Sequence, residues 1–398
     1  MTENEKKQTD TVRKNALAAA AGIMPAQVEE VLCRLEQQGF EAYVVGGCVR
    51  DILMGKKPSD WDVCTSAEPD DIKRCFDDLK TLDMGMRHGT VAVITGDLTV
   101  EITTYRVDGI YTDGRRPDSV SFTKSLAEDL ARRDFTVNAM AFHQEKGLID
   151  PFGGQADLQC GQIRCVGEPE SRFSEDGLRI MRGLRFSSVL GFKISKSTAE
   201  AMRKWIRLTD KVSRERINIE LSKLLLGIDV DRVLQEYGDI LKSAVRGFQP
   251  APVSHLPNRL SVRLAAVFPI NTETCLRELK YSPRTVSEAV ALNRLAAGEQ
   301  PQTPAEIRKL LAKEGIELSC LYFSMLGREQ ALQEVLESGM CYSLRQLAVG
   351  GKDLMAAGVP CGREVGRMLS ELLHLVIEEK LDNDKETLLK YIQGRIKS

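Results

Sequence analysis

The sequence predicts an α+β fold, with a head of mixed strands and helices followed by an all-helical remainder. Three observations predict it. β-rich runs gather in the first 155 residues. Two of them, Val91–Thr95 and Leu98–Tyr105, are separated only by Gly96-Asp97, which reads as a hairpin. After Asp150-Pro151-Phe152-Gly153-Gly154 the strand signals nearly vanish and long helical patterns take over.

The elements follow in order. Residues 1–25 read as a polar arm. From Ala26, the apolar residues Val28, Val31, Leu32 and Leu35 fall on one helical face, which Gly39 ends. Ala42–Val45 is a short β run before Gly46-Gly47. Val49–Met54 reads as a helix stopped at Gly55, Trp61–Cys64 as a strand, and Pro69 opens a helix through Phe76. The hairpin comes next, then a loop over 108–121 rich in Gly and Pro.

Composition narrows the function. A chain of 398 residues exceeds one ordinary domain, and 42% hydrophobic with 28% charged residues is a globular balance. The formal net charge of −2 announces no bulk attraction to nucleic acid or membrane, so a basic surface must be local. No apolar run approaches the roughly 18 residues a membrane helix needs. The 10 Cys form no CxxC pair and the 4 His lie far apart, so zinc and a disulfide framework are not expected. The reading is a cytoplasmic protein with mostly buried free thiols, as a monomer or homodimer.

Three clusters carry chemistry. In the first, Gly46-Gly47 between strand and helix lets the backbone approach a ligand, with Arg50 placed to add a bidentate phosphate contact. Asp60 and Asp62 follow at i and i+2, which on a strand share a face. Two such carboxylates repel unless a cation joins them, and magnesium binds through one or two carboxylates plus substrate phosphates. Solvated loop acids would also give this pair. Glu101, between Val100 and Ile102, alternates to the face opposite theirs, either toward solvent or toward Asp60 and Asp62 across the sheet.

The second cluster is Arg132-Arg133-Asp134-Phe135-Thr136-Val137-Asn138, whose apolar neighbours suggest a packed segment that fixes the arginines. The third is Glu175-Asp176-Gly177-Leu178-Arg179-Ile180-Met181-Arg182-Gly183-Leu184-Arg185. Set on one helix, its apolar residues cover one side and Asp176, Arg179 and Arg182 the other. Arg182 and Arg185 have no acid three or four residues away, so their anion is expected from elsewhere. A carboxylate accepts from an amino group and a guanidinium only donates. An Asp176–Arg179 pair therefore suits C and A, and leaves mismatched partners against U and G. Residues 161–220 carry 13 Lys and Arg against 8 Asp and Glu, a local basic excess.

Gly-Gly-x-x-Arg-Asp, then Asp60-Trp61-Asp62, resembles the nucleotidyltransferase superfamily that includes DNA polymerase beta. With the second and third clusters it more closely resembles class II tRNA nucleotidyltransferases, the CCA-adding enzymes, and the related bacterial poly(A) polymerases. The resemblance spans about residues 26–398 and is most specific over 41–190. It implies a polymerase beta-like mixed-sheet head (26–155), a helical neck (156–227), a body (228–335) and a tail (336–398) that helps hold tRNA. It implies that Asp60 and Asp62 hold two Mg²⁺ ions, one activating the RNA 3′-hydroxyl and the other clamping the triphosphate. Glu101 would orient the hydroxyl or a metal. Gly47 and Arg50 would hold the triphosphate, and Arg133 would contact the nucleotide, with Asn138 and Asp134 as further candidates. Asp176 and Arg179 would pair with the base, supported by Arg182 and Arg185. CCA addition to tRNA from CTP and ATP is the first reading. A poly(A) polymerase or a CC- or A-adding relative is the second, and a non-catalytic RNA-binding protein the third.

Overall fold

The computed structural model describes residues 23–85, 89–109 and 120–397. Most of the predicted arm and the centre of the predicted 108–121 loop lie outside the described residues. The chain divides into two compact units, Met1–Pro252 and Val253–Ser398.

The first unit opens with helix α1 (Ala26–Gln37), which buries Val28, Val31, Leu32 and Leu35 as its spacing predicts. Burial of each such side chain contributes about 1.5–3 kcal/mol before entropy is counted. Gly39, at φ +84°, turns the chain out of the helix. Then come β1 (Ala42–Val45), α2 (Gly47–Leu53), β2 (Trp61–Thr65), α3 (Pro69–Cys75), β3 (Lys80–Gly85), β4 (Thr90–Thr95) and β5 (Leu98–Thr104). A short ribbon, β6 (Arg106–Asp108) with β7 (Val120–Phe122), leads to α4 (Leu126–Ala131), β8 (Ala141–His143) and β9 (Gly147–Ile149).

Seven strands form one mixed sheet in the order β3-β4-β5-β2-β1-β8-β9. The hairpin is present, with Thr95 opposite Leu98. The β2–β5 pair is parallel and the sheet's other pairs are antiparallel. The runs β3, β6, β7, β8 and β9 escape the sequence reading: β6 to β9 have three residues each, and β3, with six, alternates poorly. Asp108, Val120 and Ser121 of the ribbon stand as strand at the two ends of the predicted loop.

Beyond α5 (Gly154–Gln159) the described chain is helical apart from two two-residue strands, Gln162–Ile163 and Lys193–Ile194. Helices α6 (Pro169–Glu175), α7 (Leu178–Leu190), α8 (Lys196–Trp205) and α9 (Arg214–Leu225) follow, with α7 packed along α9. The third cluster is not one helix, as its spacing predicts, but two. Asp176 is extended (φ −140°, ψ 107°) and separates α6 from α7. A side chain at Gly177 would meet the Leu208 backbone at 2.7 Å, so the break is built around a glycine in close contact.

The second unit is helical throughout its regular elements and has its own core around Leu354, Leu372, Leu373, Val376, Leu388 and Ile392. All ten cysteines are free, and five of them are buried rather than most. No described helix is long and apolar enough to cross a membrane.

Candidate active site

The site assembles on the exposed face of β2 and β5. Asp62 and Glu101 are register partners across the parallel pair, so the two carboxylates stand side by side. Val100 and Ile102 are fully buried on the opposite face, which turns Glu101 outward. Asp60 differs from its sequence placement. It lies in a bend one residue before β2, is exposed, and accepts a hydrogen bond from Ser59 Oγ at 3.0 Å. Its carboxylate still acts on Asp62. Burial first, then Glu101 and Asp60, push the Asp62 carboxyl up to about 6, against the pull of Arg133.

Crowded carboxylates of this kind fit a divalent cation, which relieves their repulsion. Among the described residues no three His, Cys, Asp or Glu side chains form a complete metal cage. A magnesium-like ion here would need substrate phosphates and water as its further ligands. The carboxylates open onto a cleft of about 240 Å³ whose walls include Asp62, Glu101, Arg106, Arg132 and Arg133.

Gly46 joins β1 to α2 at φ +83°. A Cβ there would stand 3.1 Å from Arg133 Nη1 and 3.9 Å from Asp62 Oδ2, so Gly46 leaves room for the guanidinium beside the carboxylate. Gly47, the position singled out from sequence, is sterically ordinary, its virtual Cβ 3.6 Å from Arg50 Nη2. Arg133 donates to Asp129 at 3.2 Å, while its buried Nε has no hydrogen-bond partner among the described residues.

The other candidates form one polar chain. Arg50 donates to Asp51 and, at 2.7 Å, to Asn138 Oδ1. Asn138 donates to Asp134 at 3.4 Å, and Asp134 accepts Arg182 Nε at 2.6 Å. Arg182 also reaches Glu220 at 3.8 Å, and Arg185 Nε pairs with Glu220 at 2.6 Å outside hydrogen-bond geometry. The anions expected from elsewhere for Arg182 and Arg185 are therefore the protein's own Asp134 and Glu220. A helix-local search cannot see a partner on another element. The Phe186 ring packs against the guanidiniums of Arg50, Arg182 and Arg185.

Asp176 and Arg179 do not form an ion pair with each other in the structure. Asp176 accepts Leu178 N–H at 2.9 Å and Arg216 Nη2 at 2.8 Å. Arg179 pairs with Glu175 and donates to the carbonyls of Arg172 and Arg132, each at 2.9 Å. Each is held by separate partners, so the two are not satisfied by one another. Asp129 is the residue of this network that the sequence reading missed, and no local signal marks it. Gly46 stands in the Gly-Gly turn, and Arg216 and Glu220 fall in Glu215-Arg216-Ile217 and Glu220-Leu221, a stretch that resembles a helix-packing and neck-positioning motif.

Residues 42–164 match the family model described as the poly A polymerase head domain. Residues 191–240 match the probable RNA and SrmB-binding site of polymerase A, and residues 264–392 a putative tRNA nucleotidyltransferase domain 2. The CCA-adding enzyme of Leuconostoc citreum (strain KM20) is 36% identical over 389 residues, covering 92% of this chain and 95% of the relative. The chain belongs to the CCA-adding enzyme family. The family's Enterococcus faecalis member (strain ATCC 700802 / V583) is 36% identical over 384 residues, covering 91% of this chain and 94% of the relative. The crystal structure of the Bacillus stearothermophilus CCA-adding enzyme in complex with CTP superposes with a TM-score of 0.77 at 31% identity, over 94% of this chain and 98% of that one. The mixed-sheet head and helical remainder are thus the architecture of this family, and family membership carries dependence on a divalent metal.

Proposed function

We propose that this chain adds the 3′-terminal CCA to tRNA from CTP and ATP, without a nucleic-acid template and with Mg²⁺ as the metal. The supporting observation is the Asp62–Glu101 register pair beside the half-buried Arg133, whose Nε has no hydrogen-bond partner among the described residues. It sits in a chain that also carries Asp176 and Arg179 on separate partners.

In this reading Asp60 and Asp62 would hold two Mg²⁺ ions, which when bound would neutralise phosphate charge and lower the pKa of the RNA 3′-hydroxyl. Glu101 orients that hydroxyl by accepting its hydrogen bond. The Gly47 backbone, Arg50 and Arg133 hold the triphosphate, the last with its spare Nε–H. Asn138 fixes Arg50 in place. Asp176 accepts the amino group of C or A, and Arg179 donates to the adjacent ring nitrogen. Uracil and guanine would set N–H against guanidinium and oxygen against carboxylate, and buried mismatches of that kind discriminate strongly. Arg182 and Arg185 support the nucleotide from a helix anchored by Asp134 and Glu220. The division into head (26–155), neck (156–227), body (228–335) and tail (336–398) assigns chemistry to the first two and tRNA grip to the tail.

The test uses a tRNA transcript lacking CCA, with CTP and ATP supplied singly and together and an unstructured RNA as control. Growth by three nucleotides on tRNA alone, needing both nucleotides, is the expected product. Long A tails on either RNA would make the chain a poly(A) polymerase. A stop after CC, or one A added only to a CC end, would mark a split-activity relative.

A further inference from the structure

All three arginines in the wall of the catalytic cleft are tied to one residue that does not itself line it. Asp129, on α4, is fully buried. Its Oδ1 accepts Arg132 Nε at 2.9 Å and Nη2 at 2.7 Å, and the Arg106 backbone N–H at 3.4 Å. Its Oδ2 accepts Arg133 Nη2 at 3.2 Å. Arg106, Arg132 and Arg133 share the cleft with Asp62 and Glu101. The consequences run both ways from this carboxylate. Arg133 lies against Gly46 and beside Asp62, while the Arg132 carbonyl receives Arg179 Nη2 at 2.9 Å.

Two adjacent guanidiniums repel, and neither would stay at its place without an anion between them. We propose that Asp129 is a positioning residue for nucleotidyl transfer: its carboxylate holds Arg133 beside Asp62 and Arg132 under Arg179, joining the phosphate-handling and base-reading halves of the site. Burial alone would raise the Asp129 carboxyl, and Arg133 with Arg132 more than offsets this, so it stays ionised. An amide at this position accepts at one atom only and turns an N–H₂ toward a guanidinium. One arginine is then released. The inference rests on the reading of the site given above.

The experiment compares wild type, Asp129→Asn, Arg133→Lys and the double variant, with folding followed by circular dichroism. Loss of alignment at a reacting centre can cost on the order of 10²-fold, so kcat for CTP addition to tRNA in Asp129→Asn is expected to fall at least about tenfold. The KM for tRNA should stay within about twofold, and the CTP-over-UTP ratio of kcat/KM should drop at least about fivefold. A merely structural role would not move that ratio in the folded protein. Because part of the Asp129 effect runs through Arg133, the loss in the double variant should be smaller than the product of the two single losses. An unchanged ratio, or losses that multiply in the double variant, would overturn the inference. Should Asp129→Asn not fold, Asp129→Glu takes its place in the same cycle, and multiplying losses there overturn it equally. Wild type that adds no CCA defeats the reading of the site, whereas wild type that adds CCA and an Asp129→Asn variant that equals it defeat only this inference.

Discussion

Replacing Asp62 with Asn removes a charge that the fold holds at a cost. Burial, with Glu101 and Asp60 alongside, carries the Asp62 carboxyl from its ordinary 3.8 to about 6. The folded-state value lies above the unfolded one, so the metal-free protein loses stability as pH rises from about 4 to about 6. The full loss is present above that window. With each pKa unit equivalent to about 1.4 kcal/mol, the ionised carboxylate costs about 3 kcal/mol at pH 8 and about half that at pH 5. The amide carries no such cost. In EDTA at pH 8, Asp62→Asn should therefore unfold several degrees above wild type, at about 2–4 °C per kcal/mol for a unit of this size. The gain should halve near pH 5 and disappear near pH 4. Added Mg²⁺ should raise the midpoint of wild type and leave the variant where it was, while the variant loses nucleotide addition. Differential scanning calorimetry across this pH series measures it. Equal midpoints for the two proteins at pH 8, or a difference that does not change with pH, would refute the carboxylate-crowding argument.

Other perturbations follow from the same geometry. Glu220→Gln leaves Arg185 and part of Arg182 without their buried anion, and removing one partner of a buried pair costs about 3 kcal/mol or more, read as a lowered urea midpoint. Gly46→Ala puts a methyl 3.1 Å from Arg133 Nη1 at a φ of +83°. It should reduce kcat for CTP addition more than about tenfold while leaving tRNA affinity in filter binding near wild type. Asp176→Ala should retain CTP addition at a reduced rate and raise UTP incorporation relative to CTP, read from product ladders with each nucleotide alone.

Much of the head was legible because its signals are local. The four-residue spacing in α1, the Gly96-Asp97 turn and the apolar flanks of Glu101 each specify their own element, and the register then delivered Glu101 to Asp62. What the sequence hid depends on contacts between elements. Asp129 reads as an ordinary acid on a short helix, and nothing in Leu126–Ala131 says that two guanidiniums converge on it. Arg182 appeared to lack an anion because Asp134 lies 48 positions away. The break at Asp176 was concealed by apolar spacing that continues across it. In the structure Asp176 is extended, and the close approach of the Leu208 backbone reserves the next position for glycine.

In the proposed function the protein itself, not a nucleic-acid template, chooses the base. Binding of CTP, ATP, UTP and GTP to the RNA-free protein with Mg²⁺, measured by calorimetry, tests it most directly. CTP and ATP should bind, and UTP and GTP at least about tenfold more weakly, with the difference lost in Asp176→Ala. Equal affinity for all four nucleotides in the wild-type protein would contradict it.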